Sequence, residues 1–179
     1  MAKQVINNGT TAGDGTGENL HDAFQKVNEN FDEVYGFTGW ESKSDTTNTV
    51  SLTALTDNVM QITTVSESNG GLTLLDANAK ITPVALNDVI IIDFACTFVT
   101  PSGTDQTIDI NLKVGTEVYR AYNYKLNKGS GNDDDFSITW SLPCGSSVMS
   151  NDVLIILNPT STMNYKDRFI SVTRVHKGI

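Results

Sequence analysis

Between Gly17 and Tyr35 the chain reads GENLHDAFQKVNENFDEVY, with apolar residues at Leu20, Phe24, Val27, Phe31 and Val34. The steps of four, three, four and three make a heptad seam, narrower than the broad apolar stripe of a helix laid on a globular core. Asp22, Gln25, Lys26, Asn28, Glu29, Asn30, Asp32 and Glu33 fill the flanks. A helix this short is marginal in water alone because nucleation is costly, so the seam needs a partner. Two partners fit it: the rest of its own domain, or further copies about an axis. Phe at two seam positions suits a wider core than a two-stranded coil offers, so three strands are expected. Asp14, Thr16 and Glu18 stand where a polar side chain caps free helix N–H groups, and Gly36 is a natural stop.

From Trp40 onward the helical period gives way to alternation. Val50, Leu52 and Ala54 alternate with Ser51 and Thr53, and Val59-Met60-Gln61-Ile62-Thr63 follows the turn signal Thr56-Asp57-Asn58. Asn69-Gly70-Gly71 marks a turn before Leu72-Thr73-Leu74-Leu75. Asn87-Asp88 leads into VIIIDFACTFV, a nearly continuous apolar run that predicts a strand covered on both faces. Ile108, Ile110, Leu112 and Val114 alternate with polar residues, as do Phe136, Ile138, Trp140 and Leu142. Asp152 to Leu157 reads as a buried strand and Arg168 to Val175 as the last one. Roughly ten strand candidates at this spacing, with no strand–helix–strand rhythm, predict a sandwich rather than a nucleotide-binding α/β fold. The expected fold class is mainly β: a short N-terminal trimeric coiled-coil helix (18–36), then a jelly-roll β-sandwich head (37–179).

A length of 179 residues allows one sizeable domain plus an appendage. The formal net charge of -9 excludes the clustered Lys and Arg that phosphate contacts need, so no nucleic acid and no anionic membrane surface is expected as a partner. The run Val89 to Ile92 stops at Asp93, too short for a membrane span, and Met1-Ala-Lys-Gln begins no apolar signal region. Cys96 and Cys144 lie in apparent strands, where buried thiols are expected in a reducing compartment and a disulfide only if those strands face one another.

Catalytic signatures are sparse. His21 and His176 have no Cys or His at metal-ligand spacing, and no cofactor motif occurs. Asn132, Asp133, Asp134 and Asp135 crowd oxygen ligands into a Gly-flanked stretch, which reads either as a weak cation site or as a solvated hairpin tip. Asp93 inside an apolar strand must reach a Lys, an Arg or backbone N–H groups, with Arg168 and Arg174 as candidate partners, or else sit where the strand meets solvent; a place at a subunit contact is the minor alternative. Tyr119, Tyr122 and Tyr124, beside Arg120 and Asn123, are candidate ligand contacts, since rings stack while polar neighbours hydrogen-bond. Core packing of some of them is the competing reading.

INNGTTAGDGTGENLHDAFQKVNENFDEVY resembles a segment found at the start of many tailed-bacteriophage fibre and virion structural proteins. The residues that carry the resemblance are Ile6, Gly9, Asp14, Gly15, Thr16, Gly17, Leu20, Ala23, Phe24, Lys26, Val27, Asn28, Asn30, Phe31, Glu33, Val34 and Tyr35; Glu18 and Asn19 depart from the pattern. The resemblance implies a virion-anchoring extended segment (1–17; Val5, Ile6, Gly9, Asp14, Gly15, Thr16, Gly17) ahead of a trimerising helix. After Trp40 the likeness to phage fibre knobs and to TNF-like and C1q-like trimeric heads rests on strand pattern alone.

The expectation is a non-enzymatic homotrimer of the virion, assembled in the host cytoplasm and held through its N-terminus to a capsid, tail or baseplate protein. Its head either grips a host surface glycan or protein, as a tail fibre does, or decorates the capsid as a head fibre. No cofactor is expected. The rival is a glycan-binding or glycan-hydrolysing tip, for which Asp93, Asp109, Glu117 and Asp135 are the available carboxylates.

Overall fold

The computed structural model describes residues 5–7, 15–35 (backbone alone for 29–35), 39–62, 66–69, 73–76, 78–99, 106–126 and 133–175. One helix, α1 (Leu20–Tyr35), precedes two antiparallel sheets. The first sheet orders β4 (Ser66–Asn69), β1 (Gly39–Asp45), β10 (Met163–Val175), β5 (Val89–Val99) and β8 (Asp133–Pro143), with β2 (Val50–Leu52) also on β10. The second orders β3 (Asn58–Val59), β9 (Val153–Pro159), β6 (Thr107–Val114) and β7 (Glu117–Lys125). A single-turn helix, α2 (Ser146–Met149), links β8 to β9.

The core lies between the sheets and is built by period-two alternation. Ile90, Ile92, Phe94, Cys96 and Phe98 of β5 meet Ile108, Ile110 and Leu112 of β6 and Val153, Ile155 and Leu157 of β9. Each such aliphatic or aromatic side chain contributes about 1.5–3 kcal/mol when fully removed from water. Within the single chain β5 is fully covered on one face: Val89, Ile91, Asp93, Ala95 and Val99 point outward and are half-buried. Their cover is β10 and β8 on either side, because β5 is a central strand.

Strand β1 reverses the usual rule. Its inward positions are Gly39, Glu41, Lys43 and Asp45. Glu41 Oε2 accepts the N–H groups of Leu74 and Leu75 at 2.6 and 2.8 Å, and Lys43 donates to the Asp76 carbonyl. These charges hold down residues 74–76; of the apolar run Leu72-Thr73-Leu74-Leu75, Leu72 lies outside the described residues. Leu75 instead makes only an isolated bridge to Ile81, because its own N–H and that of Leu74 are taken by Glu41. Of the expected Val59–Thr63 strand, Thr63 lies outside the described residues; among the described ones Asn58 and Val59 pair on β9, and Met60 N–H adds one bond to the Ile155 carbonyl.

Two buried ion pairs fasten β10. Arg168 meets Asp45, and Arg174 meets Asp88; all four side chains are at most 2% exposed. A bulge between Lys166 and Phe169, with Asp167 at φ 48°, shifts the alternation so that Tyr165 and Arg168 both point inward. Arg168 then lies 5.2 Å over the Tyr165 ring. Burial opposes ionisation of Asp45, but hydrogen bonds from Asn48 and Thr47 and the Arg168 charge outweigh it and hold the carboxyl well below its usual range. Gly115 closes the β6–β7 hairpin at φ 61°, where a Cβ would lie 2.8 Å from Asn151 Oδ1.

Candidate functional site

Helix α1 begins at a cap that the sequence reading did not select. Asn19 Oδ1 accepts the Asp22 N–H at 2.9 Å, and Asn19 Nδ2 donates to Asp22 Oδ2 at 2.8 Å. The correction is geometric: the acceptor three residues before Asp22 satisfies its N–H, whereas Thr16 and Glu18 lie too early in the chain. The signal was present in Asn-x-x-Asp directly before the seam.

The segment before the helix folds back on it. Glu18 N–H donates to the Asn7 carbonyl and Asn7 Nδ2 to the Thr16 carbonyl, both at 2.9 Å. Lys26 forms an ion pair with Glu18 and donates to the Val5 carbonyl at 3.3 Å. Ile6 is half-buried, Val5 is exposed, and Gly15, with φ 71°, opens the exposed run Gly15-Thr16-Gly17. Gly9 and Asp14 lie outside the described residues.

The seam is open in the single chain. Leu20 is 72% and Phe24 58% exposed, and they line a shallow groove with His21, Gln25 and Asn28. Val27 is half-buried. The side chains of Phe31 and Val34 lie outside the described residues.

At the edge where β7 and β8 end the two sheets, aromatic rings gather. Tyr122 and Tyr124 share a face of β7 opposite Ile110 and Ile108. Their ring centroids stack 6.4 Å apart, and they lie 5.7 and 5.0 Å from Phe136. Tyr124 donates to the buried Asp134 carboxylate at 2.9 Å. Burial, reinforced by that bond and charge, pushes its hydroxyl up to about 12. Tyr119 departs from this pair: a bulge at Leu112/Lys113 sets it against the core, with Arg120 4.9 Å over its ring. Tyr122, 45% exposed, is the ring that this edge presents to solvent.

The acidic run is corrected from a hairpin tip to the start of β8. Alternation sends Asp134 inward, while Asp133 pairs with Lys166 and Asp135 accepts from Thr97 Oγ1 at 2.7 Å. No group of three or more His, Cys, Asp or Glu side chains fit to hold a metal occurs among the described residues. Asp93 accepts from Thr139 Oγ1 at 2.6 Å, not from Arg168 or Arg174, which point to the other face of the sheet. Asp109 lies in the second sheet and accepts from Asn123 at 2.6 Å, whereas Asp93 and Asp135 lie in the first. Cys96 and Cys144 are buried free thiols, both pushed up by burial, Cys144 to about 11.

Residues 3–66 match the family described as Bacteriophage T4 gp9/10-like protein, N-terminal. The match takes in α1 and runs on through β1, β2 and β3. No curated protein matches the chain. In fold, the chain is similar to the Eiger TNF from S. frugiperda, with 9% identity and a TM-score of 0.52 over 80% of this chain and 95% of that one. It is also similar to the PRD1 vertex protein P5, with 17% identity and a TM-score of 0.50 over 79% of this chain and 74% of that one. At these identities the likeness is one of fold alone.

Proposed function

We propose that this chain is a structural protein of a bacteriophage particle, a homotrimeric fibre or spike anchored by its N-terminus and displaying its β-sandwich head. The observation that carries this reading is the match of residues 3–66 to the T4 gp9/10-like N-terminal family. In the proposal, residues 1–17 anchor the chain to a virion protein, 18–36 trimerise, and 37–179 form the head. Exposed Leu20 and Phe24 support the stem, since an apolar seam at heptad spacing is satisfied by copies of itself. The sheet orders β1-β10-β5-β8 and β3-β9-β6-β7 support a jelly roll of two Greek keys. The half-open outer face of β5, with Val89 and Ile91, suits packing of heads about the same axis.

The role is adhesive and mechanical rather than catalytic. The appendage stands on the capsid or at the tail in this reading. Trimeric display strengthens weak single-site binding through effective concentration. Exposed Tyr122 favours a glycan contact at the β7–β8 edge as the second reading.

The test is to label residue 179 and image intact particles by electron microscopy. Label on the tail or baseplate supports host attachment; label over the capsid supports a head fibre. Particles without label overturn the virion reading.

A further inference from the structure

The outward face of the first sheet is apolar at one end. Val89 of β5 pairs with Val175 of β10, and in the next outward row Thr173 lies between Trp40 of β1 and Ile91 of β5. Trp40, Val89 and Ile91 are half-buried, and Val175 is 39% exposed. Leu86, 54% exposed, lies in the turn that leads into Val89, where Asp88 N–H donates to the Ala85 carbonyl. The row after is polar: Ser171, Asp93 and Thr139, with Thr139 Oγ1 donating to Asp93. From the Val89 row to the Ala95 row, Asp93 is the one charged residue at the outward positions of β1, β10, β5 and β8, all of them described. The ion pairs of this sheet lie elsewhere: Arg174 meets Asp88 on the inward side, and Lys166 meets Asp133 beyond the Ala95 row.

The apolar end is also where the chain arrives from α1. Gly39 opens β1 and pairs with Arg174, the residue before Val175. Gly39 follows Tyr35, the last residue of α1, by four positions, and at about 3.8 Å per step their Cα atoms stay within about 15 Å of each other. Copies joined along the α1 seam therefore bring this end of each head to the same axis. Charge favours the same face, because chains of formal net charge -9 repel one another wherever their charged surfaces meet. The core of a protein interface is depleted in charge, as these rows are.

We propose that the outward face of the first sheet, centred on Trp40, Val89 and Ile91, is a head-to-head interface with other copies of this chain, and that the α1 seam and this face hold the copies together jointly. The inference rests on the homotrimer proposed above. It orients the head: the first sheet is turned to the axis, and the second sheet, with exposed Asp109 on its outer face, to the surroundings.

The experiment uses Trp40 as its reporter. The chain has two tryptophans, and the other, Trp140, is 5% exposed within the single head. Acrylamide quenching of tryptophan fluorescence is measured on the full chain as wild type and Phe24→Asp, with molar mass by light scattering on the same samples. Wild type is expected to be a trimer that is quenched weakly. The Phe24→Asp monomer is expected to be quenched roughly twofold more strongly, because the core of an interface excludes water. Ile91→Glu is expected to be monomeric as well, with the β-sheet circular dichroism of wild type. Equal quenching in trimer and monomer means that the chain's own segments or a foreign molecule cover the face; it overturns the head contact and leaves the stem trimer standing. A trimeric Ile91→Glu overturns it in the same way, and the quenching comparison decides if that variant fails to fold. A trimeric Phe24→Asp overturns the joint hold of seam and face. Wild type at monomer mass overturns the head contact together with the homotrimer.

Discussion

Helix α1 and strand β5 both carry apolar residues at strict spacing, and they end differently. In β5 every second residue from Ile90 to Phe98 is at most 3% exposed, facing the second sheet of the same chain. In α1, Leu20 and Phe24 repeat at the helical period and remain more than half exposed. Periodicity identifies the face that needs a partner; it does not say which molecule supplies it. A strand gains cover from strands brought over by short turns. In α1, by contrast, no described residue of the sandwich covers Leu20 and Phe24.

That contrast can be broken most strongly in the head. Phe94→Ala removes a ring that is 1% exposed and is expected to cost about 3–5 kcal/mol in denaturant unfolding. A loss below about 1 kcal/mol would mean the two sheets are loosely packed.

Asp45→Asn comes next, at about 3 kcal/mol, because it leaves Arg168 buried against a neutral partner. Since folding depresses the Asp45 carboxyl, its contribution is present at neutral pH and is lost as pH falls through and below the usual carboxylate range. Wild-type stability should therefore decline on acidification more steeply than that of the variant. Parallel pH profiles would remove Asp45 from the account.

On the helix the effects shrink. Asn19→Ala removes the cap and is expected to cost α1 about 1 kcal/mol, read as faster amide exchange over residues 20–24 with the head's melting unchanged. Phe24→Asp should move head stability least, within about 0.5 kcal/mol, because the ring is 58% exposed. Its effect belongs to assembly: molar mass by light scattering should fall from trimer to monomer. A variant that stays trimeric would place the subunit contact in the head alone.

Much of this molecule follows from local rules. The heptad spacing of Leu20 and Phe24, the alternation of β6 and β8, and the turn before Val89 are written in neighbouring residues, and the structure repeats them. What escaped local reading has one physical cause: a polar side chain's meaning depends on what folds over it. Glu41, Lys43 and Asp45 look like a solvated stretch, yet they face inward because residues 74–76 and Arg168 supply their hydrogen bonds from far along the chain. Asp93 left open an arginine partner or a place where the strand meets solvent, and only the fold shows its face half-open with Thr139 donating to it. The three tyrosines look equivalent until a bulge separates Tyr119 from the stacked pair. Leu55 lies at a turn that the sequence marks only by Thr56-Asp57-Asn58; that it stands exposed and left-handed depends on Pro159 and Thr162, over a hundred positions later. Sequence alone determined which faces are apolar, because that depends on a period of two or 3.5 residues. Tertiary structure alone decided which charges are buried and which turn is held left-handed, because those depend on contacts between distant segments.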